Sequence, residues 1–241
     1  MVDTTSRSVI VSDRNLALEL VRVTEAAALA SAHWTGRGKK NDADGAAVEA
    51  MRKAFDTVAI DGTVVIGEGE MDEAPMLYIG EKVGAGGPAM DIAVDPLEGT
   101  NLCAKDQPNS ITVVALAEKG NFLHAPDVYM DKLIVGAGLP EDVIDLDASI
   151  GENLRNLAKA RGREIGEITL CALDRERHAE LIAKTREAGA RTRLISEGEV
   201  AAGIPAYRDS SSVDTSAGSG RSTDGFLVSG VTHSLSRPDT A

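Results

Sequence analysis

Asp95-Pro96-Leu97-Glu98-Gly99-Thr100 sets two carboxylates three positions apart, beside a turn-forming Gly and a hydroxyl, directly behind the apolar run Ile92-Ala93-Val94. Hard divalent cations such as Mg2+ and Mn2+ take oxygen ligands, carboxylates above all, together with the phosphate of a substrate. A strand end would fix Asp95, and a tight turn would aim Glu98 and Thr100 at the same point. The same residue types also make an ordinary acidic turn or helix cap. Two further acidic elements weigh against that bland reading. Asp44 stands ahead of a helix, and Glu68 and Glu70 follow a strand, with Gly67 and Gly69 flanking Glu68. If the three elements converge, they supply oxygens for two or three divalent ions. Such a cluster polarises a phosphoryl oxygen and acidifies a bound water, which Thr100 would orient.

Two other constellations lie near strand ends. In Asp174-Arg175-Glu176-Arg177-His178 the guanidinium forks suit phosphate. Arg177 and His178 equally fit the first turn of an exposed helix. In Ser196-Glu197-Gly198-Glu199 the carboxylates suit sugar hydroxyls, or merely the positive end of a helix. Tyr129 reads as core on its residue type. His33, His124, His178 and His233 show no metal-ligand spacing, and no Ser–His or Cys–His arrangement is indicated.

The elements that must position these groups are legible in outline. Leu16, Leu20, Val23 and Ala27 recur at helical spacing, predicting a helix from about Ser12 to about Trp34 that Gly36 and Gly38 end. A loop over 39–44 leads to a second helix ending near Phe55. Short strands are expected over 63–66 and 90–94 and a β-rich run over 110–117. A hairpin turn at Glu118-Lys119-Gly120-Asn121 then leads to 132–135 in the same sheet. Beyond Gly136-Ala137-Gly138-Leu139-Pro140 the pattern becomes helix 150–160, strand 168–173, helix 177–188 and strand 191–195. That is a βαβ arrangement with a parallel sheet. From Arg208 on, Ser, Gly, Thr and Asp dominate without a period, which suggests a loosely packed end. The expected organisation is therefore an α/β layered fold: a metal-binding domain over 1–137, a βαβ domain over 138–208 and a divergent tail over 209–241.

The bulk numbers bound the partners. The chain has 241 residues with 25 Lys and Arg against 38 Asp and Glu, a net charge of −13. So acidic a chain repels nucleic acid and anionic membrane unless it carries a dense basic patch, and no such run is present. Aromatic residues make up only 3%, so Ala, Val, Leu and Ile must build the core. Two isolated cysteines, Cys103 and Cys171, suit reduced thiols in the cytoplasm. No apolar run reaches membrane-spanning length, and the N-terminus has no signal-peptide core.

In several stretches the sequence resembles the class II fructose-1,6-bisphosphatases, some of which also act on sedoheptulose-1,7-bisphosphate, within the lithium-sensitive, metal-dependent phosphatases. The resemblance runs from about Asn15 to Asp214. Its motifs are Trp34-Thr35-Gly36-Arg37-Gly38, Lys40-Asn41-Asp42-Ala43-Asp44-Gly45, Val65-Ile66-Gly67-Glu68-Gly69-Glu70, Glu73-Ala74-Pro75-Met76-Leu77-Tyr78, the Asp95–Thr100 hexapeptide, Ala125-Pro126-Asp127-Val128-Tyr129-Met130 and Arg177-His178. It implies Mn2+- or Mg2+-dependent hydrolysis of a phosphomonoester on a sugar bisphosphate. Asp44 and Glu68 resemble ligands of one metal, and Asp95 and Glu98 those of a second. Glu98, Gly99 and Thr100 match the scissile-phosphate site, with Thr100 activating the attacking water. Tyr129, Arg175, Glu176 and Arg177 match positions that hold the substrate, and Lys40 supports the first metal.

The departures from the family pattern cluster on the sugar side. The usual Asp-Gly-Asp loop is Glu197-Gly198-Glu199, one methylene longer on each flank. The metal-binding Glu of a Pro-Glu-Gly segment is matched by Asp224, and Arg221 stands where a Gly is usual. These changes suggest a C7 or C8 sugar bisphosphate as an alternative to fructose-1,6-bisphosphate. A second reading is a degenerate relative that binds a sugar phosphate or a partner with little turnover. Family members continue beyond the point matching Ala241, and an edge strand left uncovered would favour a homo-oligomer.

Overall fold

The computed structural model of the chain describes residues 4–67, 77–122, 128–140, 142–207 and 212–236; the side chains of 4–14, 207 and 230–236 are not described. Two compact units result, Met1–His124 and Ala125–Ala241, whereas the change of sequence pattern lies near Gly136. Among the described residues no helix is long and apolar enough to cross a membrane.

The first unit opens with α1 (Thr4–Ala32) and α2 (Lys40–Phe55), followed by β1 (Asp61–Ile66), β2 (Lys82–Val83), β3 (Ala89–Glu98), the short α3 (Thr100–Ala104) and β4 (Ile111–Glu118). The sheet order is β2-β1-β3-β4. β1 and β3 run parallel, and the other neighbours are antiparallel. Helical periodicity turns one face of each helix inward. Val23 and Ala27 of α1 meet Ala43, Ala47, Val48, Met51 and Phe55 of α2, all buried, over Val64, Ile92 and Val94 of the sheet. Alanines at the helix contacts allow close approach, which suits a core with few aromatic rings.

The second unit contains β5 (Tyr129–Val135), α4 (Ile150–Arg161), β6 (Thr169–Leu173), α5 (Ala179–Glu187), β7 (Arg191–Ile195), α6 (Glu199–Tyr207), β8 (Thr215–Arg221) and α7 (Ser222–Ser236). The order is β5-β8-β6-β7, with β6, β7 and β8 parallel and β5 antiparallel to β8. Ser149 caps α4 by accepting from the Glu152 amide at 3.2 Å. Leu154, Leu157 and Ala158 of α4 cover Leu170 and Ala172 of β6 and Ala217 of β8.

Three expectations differ from this architecture. The turn at 118–121 exists, with the Asn121 amide bonded to the Glu118 carbonyl at 3.1 Å, but no hairpin follows it. The run 132–135 leaves the first sheet because β5 pairs with β8 over its whole length, from Tyr129↔Arg221 to Val135↔Thr215. The Ser/Gly-rich stretch is not a loose end. Residues 215–221 form an inner strand between β5 and β6, and 222–236 form a helix. Its small residues have weak strand propensity, and pairing on both sides overrides that preference.

Candidate functional site

In the first unit β3 does not stop at Val94. Asp95, Pro96, Leu97 and Glu98 remain within it, and the pairing shifts between Asp95↔Val113 and Glu98↔Ile111, so three steps on β3 oppose two on β4. The extra residue makes a bulge, a device that re-aims side chains at a strand end. Asp95 bends back on its own chain, with Oδ1 accepting from the Leu97 amide at 3.1 Å. Glu98 is buried at 8% exposure, unusual for a carboxylate. Gly99 then adopts a left-handed conformation, φ 81° and ψ 50°, which turns the chain sharply into α3 and makes Thr100 its first residue.

Helix α2 begins at Lys40, so Asp44 lies within the helix and not in a loop before it. α2 packs against β3 and α3, bringing the Asp44 helix alongside the strand of Asp95 and Glu98. Burial pushes the Asp44 carboxyl above its ordinary value of 3.8. A desolvated carboxylate of this kind favours a nearby positive charge. Lys40 is exposed. Glu68 and Glu70 lie outside the described residues, and among the described residues no three His, Cys, Asp or Glu side chains gather as a metal set. The donors in hand, Asp44, Asp95 and Glu98, are all oxygens, the chemistry a hard divalent cation takes. Other buried acids of this unit have structural roles. Asp91 Oδ2 accepts from the Gly120 amide at 2.7 Å, and Glu81 pairs with Arg52 at 2.6 Å.

In the second unit the named residues collect at one end of the sheet. The carboxyl ends of β6, β7 and β8 and the start of β5 lie there, the end at which parallel strands of open α/β sheets receive ligands. Tyr129 starts β5 and is 63% exposed, so it is not a core residue. The Arg177 guanidinium stacks 5.2 Å from the centre of its ring, while Arg177 Nε donates to the Ser219 carbonyl at 2.9 Å. Arg175 donates through Nη2 to the Ser196 carbonyl at 2.7 Å, tying the loop after β6 to the end of β7. Glu176, beside it, is exposed. Between Glu197 and Glu199, Gly198 takes a φ of 93°, which admits the turn into α6. Asp224 lies in the first turn of α7, behind Arg221 at the end of β8.

His178 parts company with Arg177. It is 2% exposed and ties β6 to β8. Its Nδ1 donates to the Leu173 carbonyl at 2.9 Å, and its Nε2 accepts from the Ser219 amide at 2.9 Å. The imidazole is therefore a structural latch that fixes the Ser219 peptide, to which Arg177 also bonds. A residue absent from the sequence reading is Lys132. It is buried in β5, 2.9 Å from Glu199 and 3.0 Å from the Arg221 carbonyl. The available signal was a single cation beside the apolar run Leu133-Ile134-Val135.

Residues 14–236 match the family described as bacterial fructose-1,6-bisphosphatase, glpX-encoded. Over 223 residues the chain is 52% identical to the fructose-1,6-bisphosphatase 1 class 2 of Escherichia coli (strain K12). The fructose-1,6-bisphosphatases class 2 of Escherichia coli O6:H1 and Shigella flexneri match at the same 52%. Each match covers 92% of this chain and 66% of the relative, so the chain spans just under two thirds of the length of these relatives.

Proposed function

This chain belongs to the bacterial, glpX-encoded fructose-1,6-bisphosphatase family, and we propose on that premise that it hydrolyses a phosphomonoester of a sugar bisphosphate in a divalent-cation-dependent reaction. The observation that carries the reading is the corner at the end of β3, where a bulge separates Asp95 from Glu98 on the strand and a left-handed Gly99 turns the chain into Thr100.

Asp44, Glu68, Asp95 and Glu98 are the proposed oxygen ligands of the first unit, Asp224 is the candidate ligand of the second, and Mg2+ or Mn2+ is the proposed ion. A divalent cation held by such ligands polarises the phosphoryl oxygen and acidifies a bound water. The chain's own residues supply the rest. Glu98, Gly99 and Thr100 seat the scissile phosphate, and the Thr100 hydroxyl holds the attacking water in line. Lys40 lies one helical turn before Asp44 and balances its charge. In the second unit Tyr129, Arg175, Glu176 and Arg177 are the groups proposed to bind a sugar phosphate. Glu197, Gly198 and Glu199 accept hydrogen bonds from sugar hydroxyls.

The sugar is fructose-1,6-bisphosphate or a C7 or C8 homologue; the longer acidic side chains at Glu197 and Glu199 motivate the homologues. The two cysteines are free and buried, which suits a reducing cytoplasm. The Ser/Gly-rich end, one motive for a degenerate, non-catalytic relative, forms β8 and α7, which supports a working enzyme; the altered residues Glu197, Glu199 and Asp224 are the other motive, and the assay below separates the two readings.

The test is phosphate release from C6, C7 and C8 sugar bisphosphates with Mg2+ or Mn2+, with and without EDTA, for the wild type and Asp95→Asn. Release that EDTA and Asp95→Asn abolish is the expected result. No cation-dependent release from any of the sugars retires the enzyme reading in favour of the degenerate one. Fastest release from fructose-1,6-bisphosphate removes the longer sugars.

A further inference from the structure

We propose that Lys132 is a positioning residue that acts through Glu199, and that this ion pair sets how the second unit holds the sugar. The inference rests on the sugar-bisphosphate reading above and adds a residue to it.

Lys132 is a cation in a place where cations are rarely kept. At 9% exposure its ammonium group has left water, a loss that must be met by close partners. It finds them in two different elements. Glu199 Oε2, on the first residue of α6, lies 2.9 Å away, and the Arg221 carbonyl at the end of β8 accepts at 3.0 Å. The corner between β8 and α7 is shaped around the pair. A Cβ placed on Gly220 would come within 2.4 Å of Glu199 Oε2 and 3.0 Å of Lys132 Nζ. One placed on Gly225 would lie 2.9 Å from Lys132 Cδ. Lys132 therefore bonds Glu199 and Arg221, two positions at which this sequence departs from the family pattern, and packs beside Gly225, the neighbour in α7 of a third, Asp224.

The length of residue 199 follows from this geometry. An aspartate there is one methylene shorter and would draw its carboxylate back from Lys132 Nζ. With glutamate, one oxygen is anchored by the ammonium group, so the direction of the other is set by the pair and not by free rotation. A carboxylate fixed in this way offers a hydroxyl a single geometry. Misplacement of a binding group by about 1 Å is enough to cost roughly 100-fold in rate. Removing Lys132 alone also leaves Glu199, whose side chain is only 13% exposed, without its cationic partner, a costlier arrangement than removing both charges.

The test compares wild type, Lys132→Met, Lys132→Arg, Glu199→Gln and the double variant Lys132→Met/Glu199→Gln, each checked for folding by circular dichroism. Two esters are assayed: fructose-1,6-bisphosphate and p-nitrophenyl phosphate, which lacks sugar hydroxyls. Lys132→Met should raise KM for the bisphosphate, and its loss of kcat/KM there should exceed its loss on p-nitrophenyl phosphate by roughly 100-fold. Lys132→Arg should recover part of the loss. The double variant should be no worse than Glu199→Gln alone, the non-additivity of residues that act as one unit. Equal losses on both esters, or additive losses in the double variant, would overturn the proposal. Where a C7 or C8 bisphosphate is the better substrate it replaces fructose-1,6-bisphosphate in this assay; if the wild type hydrolyses none of these esters, the proposed function fails, and calorimetric binding of fructose 6-phosphate decides the Lys132 question. Weaker binding by Lys132→Met that Lys132→Arg restores supports it, and unchanged binding, or none by the wild type, overturns it.

Discussion

Thr100 stands at the start of α3 directly behind a left-handed glycine, so backbone geometry sets where its hydroxyl goes. Thr100→Ala is expected to lower kcat by about 100- to 10,000-fold, the range for a group that handles the proton of an attacking water. Thr100→Ser should recover much of that rate, because the hydroxyl returns and only a methyl is lost. Steady-state phosphate release measures both, and an unchanged kcat in the alanine variant removes Thr100 from the reaction. Cys171 presents the opposite case, a nucleophilic group held inert. Burial, partly offset by the charge of Arg193, pushes its thiol up from 9.0 to about 11. Between those two values the folded chain keeps a proton that the unfolded chain has released. Stability therefore declines as pH rises from about 9 towards 11, and at neutral pH the thiol reacts slowly. Urea unfolding across that range should show the decline, and Cys171→Ala should reduce it.

At the scale of elements, the decisive feature of the second unit is how β8 is held at its open end. Beyond the residues paired with β6, β8 continues beside β5, and the His178 imidazole bridges it to the end of β6. His178→Ala removes the imidazole from both bonds; the Leu173 carbonyl keeps the Arg175 amide at 2.9 Å, and the Ser219 amide loses the acceptor Nε2. The expected loss is about 1–3 kcal/mol, the cost of one unsatisfied group. Urea unfolding measures it, and a loss within about 0.5 kcal/mol, the scale of an ordinary surface change, would show that the latch is not structural. The first unit solves its positioning problem differently. A bulge in β3, not the end of the strand, separates Asp95 from Glu98. The carboxylates thus ride on a paired strand, which holds them more firmly than a free turn would.

At the scale of the whole molecule, β7 and β5 close the two edges of the second sheet among the described residues. Arg191 and Arg193 are exposed on β7, a common guard against uncontrolled pairing, yet Leu194 is exposed there too. We expect a homo-oligomer. Light scattering at micromolar concentration checks this, and a strictly monomeric mass counts against it. The net charge of −13 works at the same scale. It disfavours polyanionic partners by long-range repulsion, so the proposed bisphosphate substrate would have to be met by local groups such as Arg175 and Arg177.

Much of this was written in local sequence. The spacing of Val23 and Ala27 predicts the buried face of α1, and the alternation of helix and strand predicts β6, α5 and β7, because periodicity acts within a few residues. The chemistry proposed for Asp95, Glu98 and Thr100 rests on the same kind of signal, type and spacing along one stretch of chain. Only tertiary structure assigned β5 to the second sheet and raised the Ser/Gly-rich run to the inner strand β8, since both depend on pairing across some ninety residues of chain, as between Tyr129 and Arg221. It separated His178 from Arg177, neighbours in sequence, by burying one and exposing the other. It also brought Lys132 to Glu199, a pairing no local pattern encodes, because a buried charge takes its partner from whatever element the fold sets beside it.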